Sequence, residues 1–166
     1  QDGLLESLDD HALDLVLLDA PATGRVRGRA HAVGESEVAI FGTQELVAQY
    51  RPDFPRSLDG APLILPSSGT VLRQMVDAWL AVEGIHPRIV AEVDDSALLK
   101  AFGTAGHGLL ALPVTVADDA ARRYGVRPVG LVGGARVLYY AVSVSRKLDP
   151  DTSRIVDAIA RQLVVA

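Results

Sequence analysis

Pro62-Leu63-Ile64-Leu65-Pro66-Ser67-Ser68-Gly69-Thr70-Val71-Leu72-Arg73-Gln74-Met75-Val76-Asp77-Ala78-Trp79-Leu80 changes hydrophobic period part-way along. Residues 62–65 form a short apolar run of the kind that makes a buried strand, and Pro66 ends it. Beyond the polar loop, Val71, Leu72, Met75, Val76, Trp79 and Leu80 fall on one stripe of a helix. Arg73, Gln74, Asp77 and Glu83 fall on the other, and Gly84 supplies the stop. A strand joined through a short loop to an amphipathic helix is the repeating unit of an α/β fold.

The pattern continues on both sides. Residues 87–93 read as a strand, after which Asp94 or Asp95 can cap a helix running to Phe102. Gly106-His107-Gly108 is a tight turn into a strand over 109–112, ended by Pro113, and a helix follows over 115–124. Residues 126–129 and 137–144 read as two strands, with Gly130, Gly133 and Gly134 in a loop between them. Pro150 opens a last helix whose expected buried stripe is Ile155, Val156, Ile159, Leu163 and Val164. Upstream, Leu4, Leu5 and Leu8 mark an amphipathic helix. Residues 13–18 are apolar enough for a strand covered on both faces of a parallel sheet. Residues 25–29 are polar and expected on the surface. Residues 37–41 form another strand, Thr43 caps a short helix, and the two prolines in 51–55 make that stretch a loop.

Length and composition bound the function. The 166 residues suit one domain or two small lobes, and 49% apolar with 22% charged residues implies a real core. The absence of cysteine excludes disulfides, thiolate zinc sites and a cysteine nucleophile. With 16 basic against 21 acidic side chains, the net charge of −5 argues against this chain gripping a phosphate backbone. No apolar run approaches the roughly 18 residues a bilayer span needs. Gln1-Asp2-Gly3 has no basic flank of a secretory signal, so a soluble, cytoplasmic domain is expected. Because a helix is already under way at Leu4, the chain reads as part of a longer protein.

Few motifs suggest chemistry. The loop Ser67-Ser68-Gly69-Thr70 sits between a strand end and a helix start, where unpaired backbone N–H groups favour an anion. Plain N-capping by one of its hydroxyls explains the same residues. The glycines do not fit a nucleoside-triphosphate loop, no G-x-S-x-G elbow exists, and Gly106-His107-Gly108 precedes a strand where a dinucleotide fingerprint would follow one. His11, His31, His86 and His107 are scattered, so neither a metal site nor a cofactor is expected. Asp94-Asp95 and Asp118-Asp119 read as helix caps, and no catalytic residue is assigned.

The order of several segments resembles LysR-type transcriptional regulators, in their effector-binding (substrate-binding) domain. They are Gly3-Leu4-Leu5-Glu6-Ser7-Leu8 with His11-Ala12-Leu13-Asp14-Leu15-Val16-Leu17, Gly34-Glu35-Ser36-Glu37-Val38, Leu63 to Thr70, and Asp94-Asp95-Ser96-Ala97-Leu98-Leu99-Lys100-Ala101-Phe102-Gly103. The last segment is most like the sodium/proton-antiporter activator (NhaR-like) subgroup. The resemblance implies a type 2 periplasmic-binding-protein-like fold: two α/β lobes joined by two crossing strands, with an effector in the cleft. Lobe I would be residues 1–41 and 141–166, incomplete at its N-terminus, and lobe II residues 42–140. The hinge would involve Ile40, Phe41 and Gly42 on one strand and Tyr140, Ala141 and Val142 on the other. By the same resemblance, Ser67, Ser68, Gly69 and Thr70 bind the effector, with Ala20, Pro21 and Ala22 approaching from lobe I. Phe102, Gly103, Leu112 and Pro113 would wall the cleft.

The implied function is effector sensing in a DNA-binding regulator, not enzymatic. The effector is a small polar or ionic molecule, either an alkali cation or an organic anion. Self-association is expected, as a dimer or tetramer of the full-length regulator. DNA would be met only through a winged helix-turn-helix that lies upstream in the family, and no membrane contact is expected. A solute-binding protein of a transporter, or a small-molecule enzyme on the same fold, are the alternatives.

Overall fold

In chain order the elements are α1 (Asp2–Asp9), β1 (Val16–Leu18), β2 (Arg29–Gly42), α2 (Gln44–Tyr50), β3 (Pro62–Pro66), α3 (Val71–Glu83) and β4 (Arg88–Val93). Then follow α4 (Ser96–Thr104), β5 (Leu109–Pro113), α5 (Ala117–Tyr124), β6 (Arg127–Ser143) and α6 (Pro150–Leu163). The computed structural model describes residues 2–19, 28–144 and 150–163. These elements build two compact units, one from Gln1–Ser36 with Val137–Ala166 and one from Glu37–Arg136. The chain passes between them inside β2 and returns inside β6.

In the first unit the spacing of Leu5 and Leu8 puts both on the inner face of α1, 6% and 0% exposed. They pack with Val16, Leu18 and Val142. β1 runs antiparallel to β6, with Val16 opposite Val142 and Leu18 opposite Tyr140. The expected strand over 13–18 is therefore shorter, antiparallel and covered on one face only, since Leu17 is 46% exposed. An apolar run cannot by itself say which face a neighbour will cover. In α6, Ile155 is 54% exposed and Thr152 is buried instead, which overturns part of the expected stripe; Val164 lies outside the described residues. The helix is turned so that Leu163 meets β2 at Gly34, where an added Cβ would come 2.9 Å from the Cβ of Leu163.

The second unit holds a mixed sheet in the order β2-β5-β3-β4. β3 is parallel to β4 and β5, and β2 is antiparallel to β5. Val38, Ile40, Phe41, Leu63, Leu65, Leu109 and Leu110 are fully buried in it, each stabilising the fold by roughly 1.5–3 kcal/mol. The helix read from Val71 onward forms as α3: Thr70 caps it, and Gly84 ends it in the left-handed region at φ 67°. The polar stretch before residue 37 proves to be the exposed start of β2 from Arg29 onward, so only the buried end of that strand was visible as an apolar run. The two strands expected at 126–129 and 137–144 are one continuous strand, β6, with the glycines inside it. Gly130 lies under the Phe54 ring, where a Cβ would come within 2.5 Å, and Phe54 stacks on Trp79 at 5.9 Å between centroids. Glycine here lets an aromatic side chain approach the strand backbone.

Candidate functional site: the loop before α3

Because β3, β4 and β5 are parallel, α3, α4 and α5 all start at one end of the second unit's sheet. Two of these helix starts already carry carboxylates. An Asp95 carboxylate oxygen accepts from the Leu98 amide at 3.0 Å, and Asp118 and Asp119 occupy the first turn of α5. The first turn of α3 has no acidic residue, and its cap is the neutral Thr70. Its positive dipole end is thus the one that no carboxylate of its own cap or first turn offsets.

Within the loop the hydroxyls divide by role. Thr70 Oγ1 accepts from the Arg73 amide at 3.2 Å and donates to the Ser67 carbonyl at 3.1 Å. Capping, the simpler of the two sequence readings, therefore describes Thr70. Ser67 is half-buried and Ser68 exposed, and neither hydroxyl has a hydrogen-bond partner among the described residues. Gly69 faces open space: an added Cβ meets nothing within 4 Å. Among the described residues the loop offers two unengaged hydroxyls and the amides of Val71 and Leu72, since the Arg73 amide is taken by Thr70.

Arg73 lies beneath it. The stripe of α3 assigns Arg73 to the solvent side, yet it is 7% exposed. Its guanidinium donates to the Pro66 carbonyl at 3.0 Å, to Glu92 at 2.7 Å and to Asp77 at 2.9 Å. Burial opposes its charge, but the hydrogen bonds and negative charge of Glu92 and Asp77 outweigh this and raise its pKa. Through the Pro66 carbonyl, Arg73 pins the residue before Ser67 to both α3 and β4. The i, i+4 spacing of Arg73 and Asp77 was the available sequence signal; Glu92 comes from the fold.

The other expected site residues separate. Leu112 and Pro113 end β5, at the same sheet end as the loop, with Leu112 in the core at 3% exposure. α4 runs back along the sheet, so Phe102 and Gly103 sit toward the opposite end. Phe102 shares a groove with Arg88 and His107, and Gly103 is packed against Leu110. Ala20, Pro21 and Ala22 lie outside the described residues. Ile40, Phe41 and Gly42 are buried in the second unit, with Ile40 opposite Ala111. Tyr140, Ala141 and Val142 lie in the first unit opposite Leu18, Leu17 and Val16. Among the described residues no group of three or more histidine or acidic side chains could hold a metal ion. No described helix is long and apolar enough to cross a membrane.

Against known families, the LysR substrate binding domain matches residues 1–164. The chain belongs to the LysR substrate-binding-domain family. Within the LysR relatives, Transcriptional activator protein NhaR of Escherichia coli (strain K12) is 29% identical over 155 residues, covering 92% of this chain and 50% of NhaR. NhaR of Shigella flexneri matches with the same figures, so the likeness to NhaR extends along most of this chain. The chain spans about half the length of these curated relatives. Among solved LysR structures, Vibrio fischeri DarR in complex with DNA superposes with a TM-score of 0.70 at 18% identity, covering 98% of this chain and 55% of DarR. The effector binding domain of QuiR in complex with shikimate gives 0.60 at 14% identity, covering 96% and 76%. The fold is that of LysR regulatory domains, periplasmic-binding-protein-like as the sequence implied.

Proposed function

We propose that this chain is the effector-sensing part of a LysR-type DNA-binding regulator, and that its effector presents an anionic group to the loop Ser67–Thr70. The observation that carries the reading is the start of α3: two hydroxyls without a partner among the described residues, and a helix dipole left without a carboxylate in its cap or first turn. Ser67, Ser68 and the amides of Val71 and Leu72 hold the anion, Gly69 leaves room for it, Thr70 shapes the loop as its cap, and Arg73 fixes it from below. Leu112 and Pro113 line the same sheet end. The shikimate held by QuiR, itself a carboxylate, is an effector of this class. An alkali cation fits less well, because it wants several oxygen ligands and the loop presents donors.

In this reading the two compact units act as the family's lobes, with flexure in the strands β2 and β6. The effector shifts the regulator by binding one arrangement more tightly than another. DNA contact and the oligomeric state belong to the rest of a self-associating cytoplasmic regulator.

The test is a thermal melt against a ligand panel: sodium and lithium against potassium at matched ionic strength, with dicarboxylates, aromatic acids and sulfate. A ligand at about 100 times its Kd adds roughly 2.7 kcal/mol, or about 5–10 °C here. An organic anion is expected to give the shift, and the double variant Ser67→Ala, Ser68→Ala to lose it with an unchanged unliganded Tm. A shift given by sodium or lithium alone, or one retained by the double variant, sinks the anion assignment.

A further inference from the structure

The end of the second unit's sheet away from this loop has its own cavity, built by an irregularity in β4. Leu63 lies opposite Ile89 but Ile64 lies opposite Ala91, so Val90 is an extra residue in the edge strand. The bulge brings Arg88, Val90 and Ala91 together with Ile64, Phe102 and His107 around a cavity of about 370 Å³. Gly108 keeps its floor tight: an added Cβ would come 3.0 Å from Ile64 Cγ1 and 3.3 Å from Val90 Cγ2. Ile64 and Ala91 give an apolar floor, and the Phe102 ring is left 46% exposed beside it.

Among the described residues its polar lining is Arg88 and His107, with no carboxylate. Arg88 and His107 are exposed, and neither side chain has an ion-pair or hydrogen-bond partner among the described residues. Asp59, in the turn leading to β3, is engaged by the His86 amide at 2.9 Å. An unneutralised guanidinium and an imidazole above an apolar floor with one aromatic wall suit a carboxylate on a flat, apolar body. The size falls within the range of about 300–1,000 Å³ usual for small-molecule sites. Ile64, the β3 residue in the floor, lies three residues before Ser67, about 10 Å along a strand, and the mouth at Arg88 faces the end of the sheet away from the Ser67–Thr70 loop.

We propose that the groove between β4 and α4 is a second ligand site, taking a small aromatic or alicyclic carboxylate. Arg88 holds the carboxylate with His107 as a further donor, and Phe102 and Val90 hold the ring. The site goes beyond the effector reading and does not depend on which effector the loop takes.

The experiment is a titration of the ¹⁵N-labelled chain with benzoate, followed by amide chemical shifts, with benzyl alcohol and benzylamine as neutral and cationic controls of the same shape. Benzoate is expected to shift the amides of residues 88–91 and 102–108 saturably, and the controls are not. Arg88→Gln should raise the benzoate Kd about tenfold, as expected for losing a charge-assisted pair. It should leave Tm unchanged, because the side chain is exposed and unpaired. Phe102→Leu should weaken benzoate severalfold. The Ser67→Ala, Ser68→Ala variant should leave these shifts intact while abolishing any at the loop, so the two sites fail separately. Shifts confined to the Ser67–Thr70 loop, an equal response to benzyl alcohol, no saturable response, or an unchanged Kd in Arg88→Gln would each overturn the proposal.

Discussion

Arg73 ties three acceptors together in the second unit, and its removal is the sharpest test at the residue scale. Replacing it with methionine keeps much of the packing of its stem but deletes the donors to Pro66, Asp77 and Glu92. Asp77 and Glu92 are each 48% exposed and can turn to water, so the cost falls below that of stranding a fully buried charge. Arg73→Met is expected to lose about 1–3 kcal/mol, measured as a lower urea midpoint at unchanged m-value. A midpoint equal to the parent's would show that the cluster contributes nothing net. Because the pKa of Arg73 is raised, its contribution is complete below the ordinary arginine range and fades only as pH climbs above it. Arg73 should therefore add no slope to stability across neutral pH. The sequence placed Arg73 one turn from Thr70 and four residues before Asp77, but only the parallel pairing of β3 and β4 brings Glu92 to it.

At the scale of elements, glycines decided what the sequence misread. Gly130, Gly133 and Gly134 look like a loop because glycine weakens strands in isolation, yet β6 runs straight through them. Its pairing and the Phe54–Trp79 stack override the local preference. Gly103 gives the opposite case inside a helix. Alanine there gains about 1 kcal/mol of helix propensity over glycine. Its Cβ, however, would come 2.3 Å from Leu110 Cδ1 and 2.9 Å from Cγ, and Leu110 is fully buried with little room to yield. Gly103→Ala is expected to be destabilising by about 1–2 kcal/mol net, read by chemical denaturation; a more stable variant would mean that Leu110 can repack freely.

At the scale of the whole molecule, the two units differ in what they bury. The second encloses Val38 to Phe41, Leu63 to Leu65 and Leu109 to Ala111 at 1% exposure or less. The first has a smaller cluster of Leu5, Leu8, Val16, Leu18 and Val142, in which only Leu8 and Val142 reach 1% exposure or less. Hydrogen exchange should therefore show the slowest amides in β2, β3 and β5 of the second unit, with α1 and β1 exchanging through a cheaper, partial opening. Equal protection in β1 and β5 would show that the units open only together.

The sequence by itself determined the alternation of strands and helices, the capped start and glycine stop of α3, and, through the order of its segments, the LysR family. Those features are written in local periodicity, in capping chemistry and in residue order, which survive without any knowledge of partners. Tertiary structure alone decided the antiparallel placement of β1, the burial of Arg73, the separation of Phe102 from the Ser67–Thr70 loop and the cavity under the β4 bulge. Each depends on which strands lie side by side and in what register. A one-residue irregularity such as that at Val90 moves side chains between faces without leaving a mark in composition.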